Sequence, residues 1–360
     1  MDSTAFPLIA SFLSAVIVTL IGLPLIIKAC FYFKYFDLPN GRKVHSKPIP
    51  RLGGMIFMPA ALVGIIVASQ VQVLTGGEAY MFGVSTLAMT CGALIIYVVG
   101  FIDDRCGVKA SHKFLIQLAV ALILPLCNLV ITDLNGLLGL HEIPFLIGYV
   151  LTVGTILVIV NAINLIDGID GLASGLCILI LSAYAFVLPK NNAVAALNVA
   201  IVGSLLVFWC FNMFGKVGKM KVFMGDAGSL FLGYVCAYMS IKSLMRPTAP
   251  VDCGEKQMLL SITLLLIPVI DVLRVALQRK LTGHGMFAPD KTHIHHVLMD
   301  AGLSMHWALV SILIFFVVIC LINYALWQSN FSMVLIVTLD VFLYLLVWWV
   351  LTHSGSKSLA

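Results

Sequence analysis

Charge is what this sequence lacks most. Only 10% of its 360 residues are Asp, Glu, Lys or Arg, against about 25% in a soluble domain. So few charges cannot cover a water-exposed surface. A soluble globular enzyme is therefore excluded, and nothing suggests a nucleic-acid partner. With 61% hydrophobic residues and a mean hydropathy of +1.09, the lipid bilayer must be the solvent for most of the chain. Paired cysteines are lacking too. None of the nine forms a CxxC or metal-ligand spacing, and Cys91, Cys127, Cys210 and Cys320 lie in apolar runs. They read as small core hydrophobes, not as disulfide or zinc residues. The stretch Met1 to Phe6 has no Lys or Arg, and the apolar run after it is too long for a signal-peptide core. It is expected to remain as a first spanning helix.

Long apolar runs are what the sequence has in abundance. A spanning helix needs about 20 mostly apolar residues. Eleven segments qualify, near 7–28, 52–72, 81–101, 114–131, 144–163, 172–188, 194–214, 228–245, 258–277, 306–326 and 331–351. The expected fold class is therefore an all-α polytopic membrane protein. It is expected to form a single transmembrane catalytic domain over 1–360, with its active-site loops on one face. If the N-terminus is outside, the outer loops keep only Lys190, Lys242, Arg246 and Lys256 of the 21 lysines and arginines. That bias predicts an outside N-terminus and a cytoplasmic C-terminus. The glutamates Glu78, Glu142 and Glu255 all fall outside, and most aspartates fall inside. Short Asp side chains gathered beside cations suit hard-metal and phosphate chemistry.

Five inner segments carry more polar residues than a loop requires. His45 to Gly54 joins prolines and a glycine pair to basic residues, and a plain positive-inside flank would also explain it. Gly100 to Arg105 holds the adjacent carboxylates Asp103 and Asp104 at a helix end, where negative charge is disfavoured and a bound cation or a base role would account for it. Asn161, Asn164, Asp167 and Asp170 recur every three residues, which on a helix forms one face. Such a stripe between spans marks a substrate or ion site, or else packing between helices. Lys221 to Ser229 places Asp226 among glycines that let backbone approach a phosphate, although a helix N-cap is a rival role. Pro289 to His296 carries His293, His295 and His296, with Arg279 and Lys280 upstream. No cysteine or glutamate completes a zinc site there, so contacts to a diphosphate fit better. Carboxylates for a divalent cation together with cations for phosphates form a phosphoryl-transfer inventory.

The stretches KPIPRLGG, GFIDDR, NAINLIDGIDGLASG, VFMGDAGS and PDKTHIHH, spanning Lys47 to His296, resemble in order the motifs of the polyprenyl-phosphate N-acetylhexosamine-1-phosphate transferase family. The broken His293-Ile294-His295-His296 run is closest to the branch that moves GlcNAc-1-phosphate from UDP-GlcNAc to undecaprenyl phosphate. The phospho-MurNAc-pentapeptide branch, with its continuous His-His-His, is the alternative. An ion-coupled transporter is a more distant reading, since the ionisable groups cluster at inner helix ends without a visible repeat.

The resemblance implies magnesium, with manganese as a substitute, held by Asp226 and Asn164. It implies Asp103 and Asp104 near the acceptor phosphate, one as a base, and Lys113 on the lipid phosphate. Phe223 would stack on uracil. Asn161, Asp167, Asp170, Asn212, His295 and His296 would contact substrate, and Arg279 and His293 would serve the diphosphate and catalysis. The expected setting is a bacterial cytoplasmic membrane with the site facing the cytoplasm, making the first membrane step of an envelope glycan such as O-antigen, common antigen or teichoic acid. Direct attack and a covalent Asp intermediate both remain open, as does a homodimer.

Overall fold

A computed structural model describes residues 5–37, 48–189, 192–245, 251–283 and 292–354. His45, Lys47 and the Pro289-Asp290-Lys291 part of the histidine motif lie outside the described residues. The chain is almost wholly helical, in the order α1 (Ala5–Phe33), β1 (Phe36–Asp37), β2 (Ile49–Pro50), α2 (Phe57–Leu74), α3 (Val84–Cys106), α4 (Ala110–Ala121), α5 (Ile123–Leu126), α6 (Phe145–Ile166), α7 (Leu172–Val187), α8 (Ala193–Phe214), α9 (Gly225–Leu244), α10 (Val251–Leu281), α11 (Ile294–Asp300), α12 (Met305–Gln328) and α13 (Met333–Ser354).

Each of the eleven expected segments falls on helix, the fourth mainly on α4 and α5. Among the described residues, eight helices are long and apolar enough to cross a membrane: α1, α2 with its preceding 3-10 turn, α3, α6, α8, α10, α12 and α13. Ala110–Leu126 and Leu172–Val187 are apolar but shorter. The chain is thus a multi-pass membrane protein.

The remaining segment, α9, differs for a physical reason. It is buried from Ala227 through Ile241 and packs against α3, α6, α7 and α10. A helix wrapped in protein need not offer lipid an apolar surface. It can therefore carry Ser229, Tyr234, Tyr238, Ser240 and Ser243 in its interior. Its N-terminal end is packed without side chains to spare. A Cβ added at Gly54 would come within 2.3 Å of the Gly228 Cα, and one at Gly100 within 2.5 Å of the Ala227 Cα. Lipid instead meets the outer faces of α1, α12 and α13, where Ile17, Leu25, Leu321 and Phe342 are exposed.

Two short pairings set the base of the site. Strands β1 and β2 are antiparallel, with Asp37 opposite Ile49. The chain after β2 then pairs with the segment before α9: Phe223 N–H donates to Pro50 O at 2.8 Å, and Gly53 and Gly54 N–H donate to Phe223 O and Met224 O at 2.9 and 2.8 Å. Backbone pairing thereby fixes Arg51 and Phe223 beside one another.

Candidate active site

A cavity of about 550 Å³ opens at the N-terminal end of α9. Its wall includes Asn164, Asp167, Asp170, Asn212, Phe223, Asp226 and His296, seven of the residues expected from sequence. Asp37, Arg51, Lys221 and Ser229 complete its polar lining.

The helical stripe expected over Asn161 to Asp170 is only half right. α6 ends at Ile166, with Asp167 as its C-cap. Gly168 and then Gly171, at φ 77°, let the chain turn where a helix would have continued. Asp167 and Asp170 therefore reach the cavity from a turn. Asn161 does not line it: its amide donates to Gln117 Oε1 and Leu157 O, each at 2.8 Å. Asn164 faces the centre instead, its amide 2.6 Å from Asp226 Oδ1 and 2.7 Å from Ser229 Oγ.

The adjacent aspartates do different things. Asp104 is buried, and its carboxylate accepts from the Asp226 and Ala227 N–H groups at 2.9 and 3.1 Å. Two orphan donors at the start of α9 are thereby satisfied. Arg51 pairs with the same carboxylate at 3.2 Å. Asp226 makes no side-chain cap of its own helix, so the N-cap reading of Asp226 is set aside. Asp103 turns the other way, accepting from Val108 N–H at 2.6 Å and pairing with Lys113 at 2.8 Å. Lys113 Nζ also lies 3.1 Å from Asp226 Oδ2. One ammonium thus bridges the carboxylate of α3 and that of α9. Neither Asp103 nor Lys113 lines the cavity wall; both meet it through Asp226.

At the opposite side of the cavity, Lys221 Nζ pairs with Asp170 Oδ2 at 2.6 Å and donates to Asn212 O. Asn212 in turn accepts from Gly171 N–H at 2.6 Å and donates to Val222 O at 2.9 Å. The turn after α6, the end of α8 and the segment before α9 are locked together this way. Asp167 has no comparable cation. Burial, and then the carboxylates of Asp226, Asp170 and Asp104, push its carboxyl up to about 8.

The three histidines separate. His293 is buried and pairs with Asp271. His295 is buried with both ring nitrogens lacking a hydrogen-bond partner. Its Nε2 would lie 2.2 Å from a Cβ on Gly168. Burial, then His296 and His293, push its pKa down to about 3, so it is neutral. Only His296 lines the cavity. Arg279 lies in the last turn of α10 and is not part of the cavity wall.

Residues 86–244 match the family described as glycosyl transferase family 4. A probable undecaprenyl-phosphate N-acetylglucosaminyl 1-phosphate transferase of Bacillus subtilis is 33% identical over 352 residues, covering 94% of this chain and 91% of that protein. The chain belongs to glycosyl transferase family 4. A decaprenyl-phosphate N-acetylglucosaminephosphotransferase of Mycobacterium leprae is 32% identical over 74% of this chain and 70% of its own length. An undecaprenyl-phosphate alpha-N-acetylglucosaminyl 1-phosphate transferase of Escherichia coli O157:H7 is 30% identical over 77% of this chain and 72% of its own.

The family 4 match begins in α3 and ends with α9, so it includes Asp103, Lys113, Asn164 and Asp226. Arg51 and the histidine segment lie beyond it, yet the fold brings both to the same cavity. Sequence reading missed Arg51, Lys221 and Asp271 as site residues. Arg51 and Lys221 were hidden among cations that membrane orientation already explained. Asp271 had a visible signal: with Arg274 it is an i, i+3 ion pair inside an apolar span, a costly arrangement that marks function by default.

Proposed function

We propose that this protein transfers GlcNAc-1-phosphate from UDP-GlcNAc to undecaprenyl phosphate, releasing UMP, at the cytoplasmic face of a bacterial inner membrane. The observation that carries the reading is the Asp103–Lys113–Asp226 bridge, at the end of a spanning helix and against a carboxylate-lined cavity. A polyprenyl phosphate keeps its chain in the bilayer, so its headgroup must be met at a helix end. The names and 30–33% identities of the three relatives support the same chemistry. The asymmetry of lysine and arginine supports eleven spans with the N-terminus outside. The whole chain then serves as one catalytic domain.

The donor set suits magnesium. The Asp226 carboxylate and the Asn164 carboxamide oxygen are hard ligands, and the two side chains are neighbours, the Asn164 amide N–H donating to Asp226 Oδ1 at 2.6 Å. Magnesium keeps several waters and binds through one or two protein groups plus substrate phosphates. Asp226 and Asn164 would hold it, and when bound it neutralises the diphosphate and stabilises departing UMP.

The chain's own residues do the rest. Phe223 stacks on the uracil, and Asp167, Asp170 and Asn212 orient the nucleoside. Lys113 gives the acceptor phosphate a point charge when it leaves its bridge to the two carboxylates. Asp103, relieved of that lysine, accepts or orients the phosphate proton. The lipid phosphate oxygen then forms the new P–O bond as the bond to UMP breaks.

The test is a donor panel with purified protein and undecaprenyl phosphate, with the lipid-linked product read by mass. UDP-GlcNAc should yield lipid-linked GlcNAc diphosphate and UMP. A product only with the pentapeptide-bearing donor, or none with any donor, would reject the reading.

A further inference from the structure

We propose that Asp271 is the positioning residue of the histidine segment: through His293 it fixes where α11, and with it His296, stands against the cavity. The inference rests on the reading of that cavity as the donor site.

Asp271 lies well inside α10 with its side chain 1% exposed. Both of its oxygens are used. Oδ2 is 2.7 Å from His293 Nδ1. Oδ1 accepts from Arg274 Nη2 at 2.7 Å, from Tyr344 OH at 2.8 Å and from Ile294 N–H at 3.0 Å. Arg274 also donates to Thr292 O at 2.6 Å, and its guanidinium lies 5.0 Å from the centre of the Trp348 ring. One carboxylate thus ties α10, α13 and the start of α11 together. Arg274 offsets its charge, so the group acts as a common acceptor. An imidazole facing a carboxylate through Nδ1 donates its proton there, which fixes the ring's orientation and points Nε2 away from Asp271.

From His293 the contacts run on to the cavity. Its ring is parallel to that of His295, with centres 5.9 Å apart and planes 4° apart. The His295 ring sits 4.3 Å from that of His296 and presses on Gly168. His296 and Gly168 both line the cavity. His293 itself does not, so Asp271 and His293 act through the rings in front of them. A buried charge network in a membrane helix costs more than an apolar one of the same shape. The return on that cost is a fixed register for a short, seven-residue helix that has little stability of its own.

Asp271→Asn keeps the size and one acceptor oxygen but offers an NH₂ to His293. The test uses the full-length protein in detergent, labelled with diethyl pyrocarbonate and read by peptide mass spectrometry, alongside steady-state kinetics. In the wild type His293 and His295, 5% and 1% exposed, should be protected. In Asp271→Asn both should become reactive at a temperature where the protein stays folded, and the melting temperature should fall because Arg274 loses its buried carboxylate partner. The KM for UDP-GlcNAc should rise about tenfold while the KM for undecaprenyl phosphate stays put. Asp271→Asn combined with His296→Ala should be no worse than His296→Ala alone. Tyr344→Phe, which removes one hydrogen bond and no charge, should give the same pattern at smaller amplitude.

Unchanged labelling of His293 and His295 in Asp271→Asn would overturn the proposal. So would multiplicative losses in the double variant. If Asp271→Asn fails to fold, Tyr344→Phe decides: altered labelling and donor KM support the proposal, and neither changing overturns it. Labelling does not depend on turnover. A wild type that ignores UDP-GlcNAc while Asp271→Asn exposes the histidines would reject the donor reading and leave the positioning role standing.

Discussion

Two cavities of nearly equal size sit in this protein, about 550 Å³ at the start of α9 and about 600 Å³ between α7, α10 and α12. The second is walled by Leu179, Leu260, Leu264, Phe316 and Leu321, with Gln257, Thr263 and Asn323 as polar groups and Lys256 as its one charged residue among those described. There Asn323 donates to Thr263 and Asp340 at 2.8 and 2.7 Å, and the network ends. In the first cavity the polar groups come from five separate chain segments and face one space. Volume does not distinguish the two; convergence of charge from distant parts of the sequence does.

The widest gap between them should follow from removing one carboxylate. Asp226→Asn is expected to lower UMP release about a thousandfold, because several kcal/mol of charge compensation at the diphosphate are lost. EDTA should silence the wild type and magnesium or manganese restore it. Activity in metal-free buffer would erase the distinction drawn here. Next in size, Lys113→Ala should raise the KM for undecaprenyl phosphate about ten- to a hundredfold, the scale of a charge-assisted hydrogen bond, with the UDP-GlcNAc KM nearly intact. Titrating acceptor at saturating donor measures it. Phe223→Ala should raise the donor KM about tenfold, as lost base stacking predicts. An unchanged donor KM would remove Phe223 from the nucleotide site.

A smaller effect concerns pH. Burial and the neighbouring carboxylates push the Asp167 carboxyl up to about 8 in the fold, against an ordinary 3.8. The unfolded chain gives up this proton near pH 4, and the fold holds it until about pH 8. Its contribution to stability is therefore full below pH 4 and is lost progressively up to about pH 8. Asp167→Asn needs no proton, so its melting temperature should exceed that of the wild type by a margin that widens from pH 5 to pH 8 and then levels. Parallel melting curves in detergent would show it. The smallest effect belongs to the other cavity. Ala183→Phe, which fills part of the apolar groove, should change turnover by less than about twofold, since no charge converges there.

The helices were legible because lipid imposes one rule on every segment that meets it. Each expected span coincides with helix. What the rule could not reveal was α9's immersion in protein, because apolarity alone does not say which helix is central. The same logic divides the site residues. Asp226, Asn164 and Asp170 were visible as polar residues set among glycines. The different tasks of Asp103 and Asp104 were not, since neighbouring carboxylates look alike until one is seen holding the α9 N–H groups. Asn161 fitted the three-residue spacing, but α6 turns it toward Gln117. His293 and His296 share a motif, and only the packing of α11 decides which one reaches the cavity.

The burial of α9 bears on how the protein is made. A helix with so many hydroxyls and a lysine in its last turn gains little from leaving the translocon for lipid alone. Its neighbours α3, α6 and α7 all precede it in the chain. By the time α9 emerges, most of the slot that receives it has already been synthesised, and only the α10 wall is still to come. Order of synthesis can thus stand in for apolarity. A chain in which α9 were moved ahead of α3 would have the same composition and the same contacts available, and should nevertheless insert poorly.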